Sequence, residues 1–363
     1  MDKRWESLKF HDNNFLVLLK QGLESIDVKD SVTKLKTALR MFNQQAIEKG
    51  LSEVSNLGEF LEKLTHIKAS ELFDECKFDC CILTQSFKLA PRLNEVLDEI
   101  HIYEKQQELM KNVLVKIRNS IEEMDTKEYR YRLIRNFVSE HYLVDRLTLE
   151  NKLESRLTQD LFDEVEQMYL PYRVLKEEVT CCPICHRIVE EEQCREVCHY
   201  YMQKEKKVFY QRKIQPKRRY FYLCEGIYRY TLMPAVGEIR IFNQLTSMIG
   251  EDGEVQLYPN VDEYDIEVKL NDKVYQLDIK DFQDPVQLVH KFKEENAASK
   301  MISTNKIKRC LVIPTHRSEV YNKASNLSYI DGTKQLFENL VPGIEVISEK
   351  TLYKMIRDEL ENE

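Results

Sequence analysis

Between Gly58 and Gly226 the chain contains no glycine. Tight reversals and left-handed backbone positions favour glycine. So long a stretch without one is expected to form long helices rather than strands and turns. The apolar spacing agrees. "NNFLVLLKQGLESI", "SVTKLKTALRMFNQQAIEKG", "LEKLTHIKASELFDECKF" and "IHIYEKQQELMKNVLVKIRNSIEEM" carry apolar residues at helical intervals, and Gly50 is placed to end the second. Residues 1–175 therefore read as a helical N-terminal domain, with no repeat and no catalytic motif. Cys80 and Cys81 read as core cysteines. "KEYRYRLIRNF" (127–137) reads as a solvated helix face, with contact to a partner as the other reading.

The 363 residues allow two or three domains, and 42% hydrophobic with 32% charged residues describes a globular chain. The start, "MDKRWESLKF", has no apolar signal core, and no run of about 18 apolar residues suggests a membrane span. Ten cysteines without a secretory signal point to a reducing, cytoplasmic setting, where clustered cysteines more often hold metal than pair as disulfides.

Five of those cysteines fall within eighteen residues, "CCPICHRIVEEEQCREVC". Cys182 and Cys185 make one close pair, and Cys194 and Cys198 a second. Two thiolates brought together by a tight turn, closed by a second pair, are what tetrahedral Zn²⁺ requires. Whether Cys198 or His199 is the fourth ligand is open, and Cys224 is a possible substitute. A site of four protein ligands is coordinatively closed, so the expected role is structural. These residues and the next segment define a small zinc-binding module with a basic β-ribbon over 176–230.

Residues 204–229 hold nine Lys or Arg and two Glu, a local balance of +7 in a chain whose net charge is −8. Such asymmetry suggests a polyanion, and Lys213, Lys217, Arg218 and Arg219 are the candidate phosphate contacts. The interleaved aromatics read as core, although stacking on bases is the alternative.

From 231 to 363 the pattern becomes helix, three strands, helix, strand, an αβ layering, and a linking region, the strand "IEVIS" and a helix from about 349 complete the chain. Asp284 and Pro285 are placed to start the second helix. The second and third strands form the hairpin "EYDIEVKLNDKVYQLDIKDF". Alternation puts Tyr264, Ile266, Val268 and Leu270 on one face with Tyr275, Leu277 and Ile279. Asp265, Glu267 and Lys269 share the other with Gln276, Asp278 and Lys280. A two-residue turn at Asn271–Asp272 sets Asp265 opposite Asp278, with β-carbons about 5 Å apart. Like charges there are costly unless a hard cation such as Mg²⁺ lies between them. Lys280 reaches the same face and can orient a nucleophile or offset charge on a phosphorane. Glu238, in the preceding helix, is a candidate third acid. These are the parts of metal-assisted phosphodiester hydrolysis.

The run "PNVDEYD" followed by "DIK", with the helix acid of "MPAVGEIRIFNQL" upstream, resembles the PD-(D/E)xK superfamily. More closely, these segments and the CPxC-type cluster, over about 180–350, are similar to the restriction-endonuclease-related protein of bacterial three-gene islands. That protein is encoded beside a PIWI/Argonaute-like protein and a DinG-type helicase. The resemblance implies a restriction-endonuclease-like αβ core with a mixed sheet. It also implies Mg²⁺ or Mn²⁺ on Asp265, Asp278 and Glu238, Lys280 as catalytic lysine, and Asp262 as a further ligand or a turn former. DNA as substrate and a role in antiviral defence follow from it too. The other functional class is a non-catalytic nucleic-acid-binding or scaffold subunit, and RNA is the alternative substrate.

Overall fold

The computed structural model describes residues 10–25, 27–73, 76, 78–173, 176–282, 285–294, 298–304, 306–325, 328–338 and 344–361. Asp284 lies outside them. The chain divides into two compact units, Met1–Tyr103 and Glu104–Glu363.

The first unit is helical, as expected. It contains α1 (Phe10–Glu24), α2 (Val28–Glu48), α3 (Leu57–Leu64), α4 (Ala69–Leu72) and the first part of α5 (Pro91–Asn119). Asp27 caps α2 by accepting from the amides of Lys29 and Asp30, and Asn56 caps α3 through the Glu59 amide. Gly50 follows α2 with φ of +67°, the left-handed position its sequence predicted. Phe15, Leu19, Phe42, Phe60 and Leu93 are buried in this unit's own core. Cys80 and Cys81 are only half-buried, at its margin.

The second unit interleaves the rest of the helical region with strands. After α6 (Met124–Glu140) come β1 (Leu143–Asp145), α7 (Arg146–Leu153), α8 (Gln159–Gln167), β2 (Tyr169–Tyr172) and β3 (Glu178–Cys181). Next are α9 (Glu196–Glu205), β4 (Tyr210–Lys213), β5 (Tyr220–Leu223) and α10 (Glu225–Ile227). Two strands thus arise in a stretch expected to be helical. Turns between Gly58 and Gly226 do without glycine, because Phe87, His186, Glu191, Glu192 and Lys206 take positive φ themselves.

The basic segment is not a single ribbon. Strand β4 pairs antiparallel with β3, whereas β5 lies between β1 and β2 in a separate three-stranded sheet. Its "YFYL" run suits a central strand, flanked by neighbours on both edges, and carries the buried Tyr220 and Leu223. The loop between β4 and β5 holds Pro216, which has no amide to donate to a ladder.

A π-turn, Tyr228–Leu232, leads into α11 (Met233–Ile249), followed by β6 (Gly253–Leu257) and the short α12 (Pro259–Asp262). The hairpin is β7 (Ile266–Leu270) and β8 (Lys273–Ile279). Then come α13 (Pro285–Glu294), β9 (Ile307–Ile313), α14 (Thr315–Ser325), α15 (Tyr329–Glu338), β10 (Glu345–Ser348) and α16 (Glu349–Glu361). The five strands form one mixed sheet in the order β10-β9-β8-β7-β6, antiparallel from β6 to β8 and parallel from β8 to β10. Gly253 is required where β6 meets β7, since a Cβ there would lie 2.4 Å from the Lys269 carbonyl oxygen.

Both sheet faces are covered. Ile266, Val268, Leu277, Cys310 and Val312 join a core shared with α11, α16 and the cysteine segment. That core runs without a break across the expected domain boundaries at 175 and 230. On the other face Leu311, Ile313 and Val346 pack with Leu288, Phe292 and Phe337 of α13 and α15. Tyr264 belongs to this second cluster, not to the face of Ile266. The chain bends at 263–265 before the strand proper begins, so simple alternation does not extend back to Tyr264.

Candidate active site and cysteine cluster

The hairpin register is the predicted one. Ile266 pairs with Leu277 and Leu270 with Lys273, across a turn in which Asn271 takes φ of +53°. The ladder ends at Ile266 and Leu277: the Asp265 amide donates to the Leu277 carbonyl, so the register slips by one and Asp265 is not the backbone partner of Asp278. Their side chains nonetheless meet around Lys280 at the end of the hairpin, 9% and 2% exposed. Asp265 Oδ2 accepts the Ile279 amide at 2.6 Å. Lys280 Nζ lies 2.6 Å from Asp278 Oδ1 and 3.8 Å from Asp265 Oδ2. The other Asp278 oxygen, Oδ2, is buried and accepts no hydrogen bond from the described residues. Lys300, from the short helical turn Ala298–Met301, stands 3.8 Å from it.

The two carboxyls divide in their titration. Burial, reinforced by the charges of Glu238 and Asp278, raises Asp265 well above the usual carboxylate range although Lys280 opposes this. Burial also works against the charge of Asp278, but Lys280 and Lys300 outweigh it and hold that carboxyl low. One carboxyl raised and the other lowered is the division expected of two neighbouring buried acids.

Glu238 lies on the buried stripe of α11 with Ile241, Leu245 and Ile249, at 3% exposure. Its carboxylate is taken by Arg135, at 3.2 and 3.3 Å, and by the Tyr258 hydroxyl, which donates to Oε2 at 2.7 Å. Among the described residues, no three acids bring their oxygens within 4.8 Å of one another, and the one ligand group of that size is the cysteine set. Glu238 therefore acts on Asp265 through its charge, with its own oxygens engaged by Arg135 and Tyr258.

Arg135 and Tyr131 correct the reading of "KEYRYRLIRNF". Both are buried on α6, and Tyr131 donates to Asp262 Oδ2 at 2.6 Å. The segment they hold, Tyr258–Asp262, carries φ of +53°, +50°, +57° and +66° at Tyr258, Asn260, Val261 and Asp262. Left-handed backbone at a β-branched residue such as Val261 is strained. The strain is held by Arg118, whose guanidinium donates to the Val261 and Asp262 carbonyls, and by Glu128, which accepts the Asn260 amide at 2.6 Å. Asp262 here shapes the turn. The signal for α6 was faint. Only the helical offset of Glu128, Tyr131 and Arg135 (three and four residues apart) marks one polar face turned inward.

In the cysteine cluster, the sulfurs of Cys182, Cys185, Cys194 and Cys198 all lie within 4.8 Å of one another. This set is able to hold a tetrahedral metal such as zinc. It answers the open question of the fourth ligand in favour of Cys198. His199 instead accepts the Cys194 amide through Nε2 at 3.2 Å, and neither Cys181 nor Cys224 belongs to the set. Tyr228, in the π-turn, donates to Cys185 Sγ at 3.5 Å, and Arg187 and Arg195 stack on its ring.

Lys213, Lys217, Arg218 and Arg219 are exposed. The structure gathers the last three in the β4–β5 loop, with Lys213 at the end of β4. Arg218 pairs with Asp145 at 3.3 Å. Among the described residues, no helix is long and apolar enough to cross a membrane.

Residues 236–363 match the model of the family described as "REase associating with pPIWI_RE". The match begins at Val236, so the resemblance drawn from about 180 is supported over the sheet and its helices, and the cysteine cluster lies outside it. No curated protein and no solved structure matches the chain.

Proposed function

We propose that the chain is a divalent-metal-dependent endonuclease that hydrolyses phosphodiester bonds in DNA. In this reading it acts in bacterial defence with a PIWI/Argonaute-like protein and a DinG-type helicase. The partner expectation rests on the family match and on the sequence resemblance. The observation that carries the activity is the pair Asp265 and Asp278, with Lys280 between them and one buried carboxylate oxygen left without a donor among the described residues.

That donor set fits Mg²⁺ or Mn²⁺, hard ions that take carboxylate oxygens. Asp265 and Asp278 would hold the ion. Glu238, occupied by Arg135 and Tyr258, contributes its charge in this arrangement. The ion, when bound, supplies Lewis-acid charge beside the scissile phosphate. Lys280, freed from Asp278, orients the attacking water and offsets charge on the phosphorane. Lys300 is a second cation within reach of the same carboxylate and can meet the phosphate from the other side. Lys213, Lys217, Arg218 and Arg219 contact the DNA backbone, and zinc on the four cysteines keeps their module folded.

The test is cleavage of DNA, RNA and hybrid substrates with Mg²⁺ or Mn²⁺, with and without the partner proteins. Asp278→Ala and Lys280→Ala are expected to lower the rate by about 10²–10³-fold each. Equal cleavage by both folded variants would overturn the assignment. DNA binding without cleavage under every condition would favour a scaffold subunit.

A further inference from the structure

Lys280 is followed at once by Asp281, a residue the catalytic reading does not use. Asp281 is largely buried, and its Oδ1 is 2.9 Å from His316 Nε2 and 2.6 Å from Arg317 Nε. His316 is 2% exposed, and its other ring nitrogen, Nδ1, is 2.8 Å from the Tyr201 hydroxyl. Tyr201 lies on α9, three residues after Cys198. A continuous chain of side-chain bonds thus runs from the helix that carries the last cysteine ligand to the residue beside the candidate catalytic lysine.

A carboxylate only accepts, so His316 Nε2 donates to Asp281, while Nδ1 bonds the Tyr201 hydroxyl. Every member is fixed from elsewhere as well. Arg240 of α11 lies over the Tyr201 ring at 3.9 Å and pairs with Glu205 of α9. Tyr200 donates to Glu319 of α14 at 2.8 Å. The Thr315 amide, beside His316, donates to Glu349 at 2.7 Å. On the strand side, the Lys280 amide donates to the Val312 carbonyl at 3.0 Å, the last backbone bond holding β8 to β9. Past that bond, Asp281 is the next anchor of the backbone that bears Lys280.

We infer that Tyr201, His316 and Asp281 form a positioning relay by which α9 of the cysteine module holds the Lys280 end of β8 in place. None of the three touches the reacting atoms. They set where the Lys280 backbone ends, and hence where its ammonium falls relative to Asp265 and Asp278. Misplacement of about 1 Å at such a group can cost up to 10²-fold in rate. The inference rests on the nuclease reading for its kinetic consequence only, since the backbone consequence is measurable without activity.

The test uses the full-length, metal-replete protein and three variants. Tyr201→Phe removes one hydroxyl, His316→Leu removes both ring contacts, and His316→Gln keeps a donor for Asp281. Hydrogen–deuterium exchange is followed at 279–282 and, as an internal control, at 266–270, together with the urea midpoint. Faster exchange at 279–282 in Tyr201→Phe and His316→Leu is expected, with 266–270 unchanged and His316→Gln recovering most of the protection. Where the protein cleaves DNA, kcat falls about tenfold in the first two variants while KM changes less than twofold. Unchanged exchange at 279–282 in both folded variants overturns the relay, whatever the activity. Uniformly faster exchange over both peptides, tracking the urea midpoint, also overturns it and leaves a plain stabilising contact. Absence of cleavage in the wild type with local exchange changes intact refutes the nuclease reading and leaves the relay standing.

Discussion

Glu238 shows how one residue can be right in type and place yet occupied otherwise. The sequence marks it as an acid near the aspartates, and the fold buries it against Arg135. Removing one member of a buried ion pair strands the other, at a cost of about 3–5 kcal/mol, whereas replacing both by apolar residues costs far less. Glu238→Ala is therefore expected to lower the urea midpoint strongly, and the double variant Arg135→Met with Glu238→Leu to recover most of the loss. A double variant no more stable than the single one would show that the pair does not behave as a coupled buried unit. Asp281 offers a test in pH. Burial opposes its charge, but Arg317 and His316 outweigh burial and hold its folded value below the ordinary one. A depressed carboxyl stabilises the fold fully above its unfolded value, near 4, and loses that contribution as pH falls toward the folded value. Asp281→Asn should narrow the stability difference between pH 7 and pH 3 relative to wild type. An unchanged difference, measured by urea unfolding at both values, would contradict the ion-pair assignment.

The elements differ in how plainly the sequence announced them. The hairpin was legible because strand alternation and the Asn271–Asp272 turn act locally, and together they fix the pairing from Ile266 with Leu277 to Leu270 with Lys273, though not the slip at Asp265. In the C-terminal region α14 and α15 fall where the sequence reads as a linking region, whereas α11, α13 and α16 were legible for the same reason. The bend at Tyr264 was not, since it depends on a left-handed segment with no glycine to announce it. Strands β1 and β2 were hidden because each is short and gains its partner, β5, only from far along the chain. The paired polar residues of α6 looked like a solvated face because their partners, Glu238 and Asp262, lie more than a hundred residues away. That dependence gives a prediction at this scale. Arg118→Ala removes the donors that satisfy the Val261 and Asp262 carbonyls, leaving the strained segment to its remaining contacts, Glu128 and Tyr131 among them. Faster exchange at 259–263 is expected, with a stability loss of about 1–3 kcal/mol. Exchange at wild-type rates would mean that the left-handed segment holds its own shape.

At the scale of the molecule, the cysteine segment is built into the core of the second unit. Cys182, Cys185 and Cys198 pack in the same cluster as Ile266 and Leu277 of the hairpin. Metal removal should accordingly destabilise more than a peripheral knuckle. Purified protein is expected to carry close to one equivalent of zinc, and chelation to lower the thermal midpoint of the whole second unit. Less than about half an equivalent in folded protein, or an unchanged midpoint after chelation, would contradict a structural metal. The central claim is that Asp265 and Asp278 together form a divalent-ion site. Calorimetric titration of the full chain with Mn²⁺ tests it most directly. Binding by the wild type is expected, lost in Asp278→Asn and weakened at least tenfold in Asp265→Asn, with the fold intact. Equal Mn²⁺ binding by the wild type and both variants would contradict it.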